Sequence, residues 1–548
     1  MKIMKKLLLF ILLPVLSIAQ VQIGSNVNGE AAEDNSGWSV SISKDGTTLA
    51  VGAIRNDGNV VSPTNTTGNM GHVRVYRKDA AGAWMQIGPD INGENPTDQS
   101  GFCVSLSTDG NTVAIGANQN DAAIGPFTNT VAGNAGHVRV YKYNGTSWDK
   151  LGADIDGEVA LDTSGRSVSL SGDGTIVAIG AHQNDAGLVH GPIIAPATVP
   201  NNNDQLSRGH VRVYKWDGTS WTQLGGAGTG DIDGELAQDL SGFSVSLSTN
   251  GDVVAIGAYL NDGSGVNAGH VRVYNFNGTA WVQLGNDIDG EVANDQSGRS
   301  VSISGDGTTV AIGALNSNGG GVGAAAGSVR VYKINGTLWD KVGGDIDGEA
   351  AGDANGSSVA LSNDGTTLAI GAQNNDAGVI PGPITAPATV PDNNDLLNRG
   401  RVRIFKNVLG VWTKLGNNID GQMGQDQNGY SISLSADGKS LAIGAIGGDA
   451  SGLNSGTVRV FDLTNAVLSS DSFVLANFSA YPNPASDVVT ISLQEGLQLE
   501  KVNIYNTLGQ LVKTETTNVI TVNTLVKGSY FFEVISDKGK ATKKILVK

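Results

Sequence analysis

The chain has 548 residues, of which 77 are glycine and 16 % are charged. Glycine at this density is hostile to long helices, since each interior glycine costs about 1 kcal/mol against alanine; no Gly-X-Y period runs through the chain, so collagen is excluded, and one cysteine, Cys103, excludes an internal disulfide framework. The first twenty residues carry +3 and the 71 from Phe478 onward +2, so with a total of −17 the stretch between holds −22, a charge that makes nucleic acid and anionic membrane surfaces poor partners and leaves cations, basic proteins and neutral sugars.

Residues 1–19 read as a signal peptide. Lys2, Lys5 and Lys6 precede an apolar run from Leu7 to Ile18, and Ser17 and Ala19 are the small residues before a cut between Ala19 and Gln20. No cysteine stands at the cut, so a lipoprotein anchor is not expected. No later apolar run reaches about 18 residues, so the mature chain is expected to lack a transmembrane helix.

Residues 20–463 repeat one unit seven times. Ala178-Ile-Gly-Ala181 recurs in every unit, with valine second at Ala50–Ala53, and Val211-Arg-Val-Tyr214 has seven versions starting at Val73, Val138, Val211, Val271, Val329, Val402 and Val458. Each unit reads as four short strands. Ser167–Ser171 alternates apolar and small polar residues at period two, and an Asp173-Gly174 turn leads to Val177–Ala181. Val211–Lys215 and Trp221–Gly225 follow, joined by Asp217-Gly218. Seven four-stranded antiparallel units predict an all-β, seven-bladed β-propeller. The small side chains of the first two strands suit a crowded centre. The recurrent tryptophans Trp84, Trp148, Trp221, Trp281, Trp339 and Trp412 suit the rim. Val21-Gln-Ile-Gly24 reads as a fourth strand without its first three, and the last unit, Ser431–Phe461, lacks a fourth. Pairing the two closes the last blade and removes an exposed edge.

The unit resembles the FG-GAP repeat of integrin-α-like propellers, through Gly165-Arg-Ser-Val168 and the later Ala-Ile-Gly-Ala. That family binds Ca²⁺ through an Asp-x-Asp-x-Asp-Gly loop between strands one and two. Here the loop is only Ser171-Gly-Asp-Gly174, so those ligands do not carry over. The acidic blade-to-blade loops offer other Ca²⁺ candidates, because Ca²⁺ takes six to eight oxygens: Asp154, Asp156, Glu158 and Asp162, and again Asp231, Asp233, Glu235 and Asp239. No other cofactor is indicated.

Arg74, Arg139, Arg212, Arg272, Arg330, Arg403 and Arg459 share one slot, and Asp34, Asp98, Asp162, Asp239, Asp295, Asp353 and Asp426 another; seven copies argue for framework. His72, His137, His210 and His270 share a slot before the third strand. Such slots lie about a blade apart, too far to share one metal ion, so they read as structural. Cys103 reads as a small residue in a packed strand. No Ser-His-Asp set, phosphate loop or zinc spacing appears, so no catalytic residue is assigned.

Length variation concentrates in the loops between strands two and three: Gly58–Met70, Ala122–Ala135, Gly187–Ser207 and Gly378–Asn398. Variable loops on a rigid scaffold are where binding usually resides, so that face, with Phe127 its one evident aromatic, is expected to take a protein or glycan ligand.

Residues 464–477 read as a linker and 478–548 as a small β-sandwich. The latter resembles the type A C-terminal sorting domain of the type IX secretion system of Bacteroidetes, through Tyr481-Pro482-Asn483-Pro484, Val502-Asn-Ile-Tyr505, Leu508-Gly509-Gln510, Gly528-Ser-Tyr-Phe531 and Lys543-Lys544-Ile545. The resemblance implies recognition by the outer-membrane translocon, with cargo released or attached to surface lipopolysaccharide. The expected function is a cell-surface or secreted, non-catalytic binding or adhesion protein. The alternatives are an extracellular polysaccharide-active enzyme using the acidic loops, which needs carboxylates in unequal environments, and a structural surface-layer component.

Overall fold

The computed structural model describes residues 20–548 except 58–67, 122–132, 186–206, 227–229, 377–397, 409, 467–477, 494–497, 507–509 and 537–538. Most of the four long loops, Phe127, Ala19, Gly509 and most of the expected linker therefore lie outside the described residues. The chain divides into two compact units, one up to Val467 and one from Leu468.

The first unit is all β. Its helical content among the described residues is one turn at Gly319–Gly321. Seven antiparallel sheets follow one another in chain order. Sheet 3 shows the pattern: Ser167–Leu170, Ile176–Ala181, His210–Trp216 and Trp221–Gln223 lie side by side. The seventh sheet takes its outermost strand from the start of the chain, Val21 facing Asp462 and Gln22 facing Phe461.

Each sheet also has a fifth strand of two residues, as at Ile155–Asp156, which pairs with His137 and Val138 of the third strand of sheet 2. Residues expected to be loop are thus partly strand. Two residues cannot display a period, so the sequence pattern has no means to reveal them.

Both faces of each sheet are covered by its neighbours. The apolar cores number seven in this unit, one per junction, each mixing side chains of successive sheets. Sheets 7 and 1 share one of them, through Val458 and Val460 with Val40, Leu49 and Val51. At the inner edge the backbones nearly touch. A Cβ on the glycine of the second strand would strike the carbonyl of the glycine opening the next sheet, Gly257 against Gly298 and, at the return, Gly444 against Gly37. A serine of the first strand bonds that same carbonyl, as from Ser244 Oγ to Gly298 O at 2.8 Å and from Ser431 Oγ to Gly37 O at 2.7 Å. In sheet 2 this slot is Cys103, whose thiol burial pushes up.

The turns joining first to second strands are linked backbone to backbone. Thr108 N donates to Gly172 O, and the pattern continues through Thr249, Gly305, Asn363 and Ala436 to Lys44 O, at 2.7–2.9 Å. Lys44 Nζ crosses this end to reach Asn363 Oδ1 at 2.6 Å and Thr249 Oγ1 at 3.3 Å. At the outer edge a tryptophan ties each of several sheets to the one before it, as from Trp221 Nε1 to Leu151 O at 2.9 Å.

The second unit has seven antiparallel strands in two sheets, of three and four strands. Val489, Ile491 and Ile520 of one and Val502, Ile504, Phe532, Val534 and Ile545 of the other build its core.

Candidate functional site

The recurrent residues have framework partners. Asp162 Oδ2 accepts from the N–H of Glu158 at 3.1 Å and of Val159 at 2.9 Å, bracing the turn before its sheet. Arg212 Nη2 donates to Asp156 O, in the fifth strand of the previous sheet, at 2.7 Å; Arg74, Arg139, Arg272, Arg403 and Arg459 do the same in theirs. Arg330 instead lies 3.2–3.4 Å from Glu291, Asp295 and Asp345.

The acidic candidates do not gather as the sequence grouped them. Asp154 stands with Glu94 and His137, while Glu158 stands with His210 and Asp231. Asp156 is in the fifth strand of sheet 2, and Asp162 and Asp239 are buried braces. Asp233 is in the fifth strand of sheet 3, and Glu235 stands with His270 and Asp287. A cavity of about 330 Å³ opens beside Glu94, His137, Asp154 and Asp156.

One position breaks the repeat in every sheet. It is the residue after the glycine that opens each first strand: Trp38, Phe102, Arg166, Phe243, Arg299, Ser357 and Tyr430. The fold brings these together at the end opposite the Lys44 turns. Tyr430 and Trp38 have centroids 4.8 Å apart, Trp38 and Phe102 5.6 Å. The Arg166 guanidinium lies 4.6 Å from the Phe102 centroid and 3.9 Å from that of Phe243, against which Arg299 also stacks at 4.1 Å. Ser357 is the one small member, between Arg299 and Tyr430.

A second varying position adds to this end, the residue after Ala-Ile-Gly-Ala. Tyr259 meets Phe243 at 4.5 Å between centroids, and His182 meets it edge-on at 5.4 Å. Thr163 Oγ1 is 2.6 Å from Asp162 O and 2.9 Å from His182 Nδ1. With the hydroxyl proton given to the carbonyl, His182 Nδ1 is the donor to Thr163 Oγ1, the tautomer that leaves Nε2 as an acceptor.

Among the described residues neither Arg166 nor Arg299 has a carboxylate partner. Both are partly solvent-accessible. Burial, and then the charge of Arg299, lowers Arg166 to about 10; burial lowers Arg299. Both therefore stay charged at neutral pH. Burial raises Tyr430 to about 12 and lowers His182, which also faces both arginines, to about 3. Two like charges close to one aromatic ring, with no counterion among the described residues, suit an anionic group on a ring-shaped ligand. The chain leaves each second strand at this end, so the four long loops start from it. The sequence signal was present: in Gly-x-Ser-Val the glycine recurs in all seven units, the serine and the valine in six each (Cys103 and Ile432 are the exceptions), while x varies widely.

In the tail, Tyr481 to Pro484 are exposed. Asn483 clasps the last strand, donating from Nδ2 to Lys544 O at 2.8 Å and accepting from Leu546 N at 2.9 Å. Lys543 Nζ lies 5.6 Å from the Phe478 centroid, and Gly528 opens the strand that pairs with the last.

Residues 479–548 match the family model described as the secretion system C-terminal sorting domain. The tail is thus a type IX sorting domain. It marks the protein for export to the cell surface or secretion and implies engagement with the type IX machinery. No helix among the described residues is long and apolar enough to cross a membrane. The chain is also 35 % identical over 85 residues to the ulvan lyase NLR42 of Nonlabens ulvanivorans. That similarity covers 15 % of this chain and 16 % of that protein, too little to span the seven sheets.

Proposed function

We propose that this protein is a non-catalytic binding protein of the cell exterior, a closed seven-bladed propeller of the FG-GAP kind whose inner pit takes an acidic sugar. The division accompanying this reading is a signal peptide at 1–19, the propeller at 20–463, a linker at 464–477 and the sorting domain at 478–548. The pairing of Val21 with Asp462 and the core shared by sheets 7 and 1 support closure.

The observation that carries the ligand is the pair of guanidiniums, Arg166 and Arg299, against Phe243, with no carboxylate partner among the described residues. A carboxylate or sulfate answers the charge and the aromatic faces take the sugar ring. The −22 carried between the two ends of the sequence repels a long polyanion, so one acidic residue at a chain end fits better than a polyanionic strand. Calorimetric titration with glucuronate and with glucose tests this. Glucuronate should bind, more weakly as salt rises, and Arg166→Met with Arg299→Met should weaken it by about tenfold or more. Equal binding of glucose, or no effect of the double variant, overturns it.

A second reading is supported by His182, a neutral imidazole with Nε2 as an acceptor beside both arginines, and by the partial likeness to an ulvan lyase. In it, His182 takes the proton from the carbon next to a carboxylate that the arginines neutralise, a carbon–carbon double bond forms as the bond from the following carbon to the glycosidic oxygen breaks, and that oxygen leaves with a proton from water. Release of an unsaturated sugar from an acidic glycan, lost in His182→Asn, replaces the first reading with this one.

A further inference from the structure

The repeat offers a second set of groups, at the junctions away from the inner pit. In sheets 1 to 4 the third strand opens with a histidine. A glutamate from the loop before the sheet and an aspartate from just after its fourth strand close on that histidine: Glu30, His72 and Asp90; Glu94, His137 and Asp154; Glu158, His210 and Asp231; Glu235, His270 and Asp287. In each set the three ligand atoms lie within 4.8 Å of one another.

We propose that the first, third and fourth of these sets, on His72, His210 and His270, are sites for a divalent ion of the zinc class.

These histidines are each 1 % exposed. Among the described residues neither ring nitrogen of His72 or His270 has a hydrogen bond, so the Nδ1 aimed at the acids is unpartnered there; at His210 the orphaned nitrogen is Nε2, and that set rests on its likeness to the other two. A buried polar group without a partner is costly and calls for an explanation. Nδ1 faces the carboxylates at 3.8 Å from Glu30 Oε2 and 3.8 Å from Asp90 Oδ2 in sheet 1, 3.9 Å from Glu158 Oε2 in sheet 3 and 3.8 Å from Glu235 Oε2 in sheet 4. Those gaps are too long for hydrogen bonds and are spanned by two bonds of about 2.0–2.2 Å to one ion. One imidazole and two carboxylates favour zinc over calcium, which prefers oxygen alone. The glutamate's other oxygen faces the framework arginine, Glu30 Oε1 to Arg74 at 3.5 Å, so Oε2 is left for the ion.

The remaining sheets act as internal controls. The last residue of the fourth strand, two after its tryptophan, is glutamine in sheets 1, 3 and 4 (Gln86, Gln223, Gln283) and lysine in sheets 2, 5 and 6 (Lys150, Lys341, Lys414). In sheet 5, where Ser328 replaces the histidine, Lys341 Nζ bridges Glu291 at 2.9 Å and Asp345. In sheet 6 Arg401 stands in the histidine slot and bridges Glu349 at 2.5 Å and Asp420 at 2.6 Å. In sheet 7 Thr457 holds the slot and the acids become amides, Asn26 donating to Gln422 at 2.9 Å. Sheet 2 keeps its histidine, but Lys150 holds Asp154 at 2.6 Å. The pair is thus bridged by Lys341 in sheet 5, has its aspartate held by Lys150 in sheet 2, is halved in sheet 6, where Asn418 stands in the aspartate's place and Asp420 belongs to the fifth strand, and is removed in sheet 7. In sheets 1, 3 and 4 the pair is intact and among the described residues no lysine reaches it; the framework arginine meets the glutamate alone, and the glutamine amide donates to the aspartate Oδ1 at 2.6–2.7 Å.

The test uses the full chain, stripped with chelator, dialysed against Zn²⁺ and assayed for bound metal. Gln86→Lys, Gln223→Lys and Gln283→Lys together copy the arrangement of sheet 2, where the histidine is kept and Lys150 holds the aspartate, and should lower the zinc content by about three equivalents, with the metal-free melting temperature retained. Equal zinc in the parent and the triple variant, including none in either, overturns the proposal. If the triple variant fails to fold, His72→Gln, His210→Gln and His270→Gln are tested singly: loss of one equivalent in each supports the sites, and loss in none overturns them.

Discussion

The two ends of the inner strands are made by opposite rules. At the Lys44 end, six of the seven successive turns donate a backbone N–H to the next sheet's turn, and the residues supplying those bonds range from glycine to asparagine without changing them. At the other end the backbone repeats, glycine after glycine, while the side chains between run from serine to tryptophan. A contact that every sheet must make to its neighbour constrains every copy alike. A contact with a guest is made once, so its residues are free to differ. In a repeat protein the framework is therefore what recurs, and the site is what interrupts it.

That contrast breaks most sharply at a recurrent position. Gly257→Val drives a side chain into the Gly298 carbonyl, and chemical denaturation should show a loss of about 3 kcal/mol or more. A loss below about 1 kcal/mol means that the close approach of sheets does not hold the array together.

A smaller effect sharpens the other side. His182 is neutral in the fold, lowered to about 3 by burial and by the two arginines, and takes a proton below about 6.5 once unfolded. The unfolded state then binds more protons, so this residue's contribution is intact above pH 6.5 and is lost as pH falls toward 3. His182→Asn, the residue sheet 2 has at Asn118, should gain about 2 kcal/mol relative to the parent between pH 7.5 and pH 5. A difference that does not change with pH contradicts the neutral imidazole.

Much of the framework was legible. The strands came from period-two alternation and Asp-Gly turns, and the seventh sheet's outer strand from the incomplete units at the two ends of the array. The aromatic and arginine cluster was not, because repeats direct attention to what recurs: Gly165-Arg-Ser-Val168 is informative as a motif and, at Arg166, as an exception. The four histidines stand one sheet apart from each other, and the neighbours of each are acids brought in by two loops. Glu30, His72 and Asp90 are 42 and 18 residues apart, a spacing that means nothing until two loops and a strand meet. Asp154 and Glu158 look like one cluster in sequence, but the sheet junction runs between them.

The central claim is that Arg166 and Arg299 serve a guest and not the fold. Thermal melting of Arg166→Met with Arg299→Met, beside Arg139→Met as the framework comparison, tests it most directly. Methionine keeps the packing against Phe102 and Phe243 and removes two charges with no carboxylate partner among the described residues. The axial double variant should melt at or above the parent's temperature, and Arg139→Met, which loses its bond to Asn92 O, should melt several degrees lower. A double variant that melts as low as Arg139→Met makes these arginines part of the framework and contradicts the account.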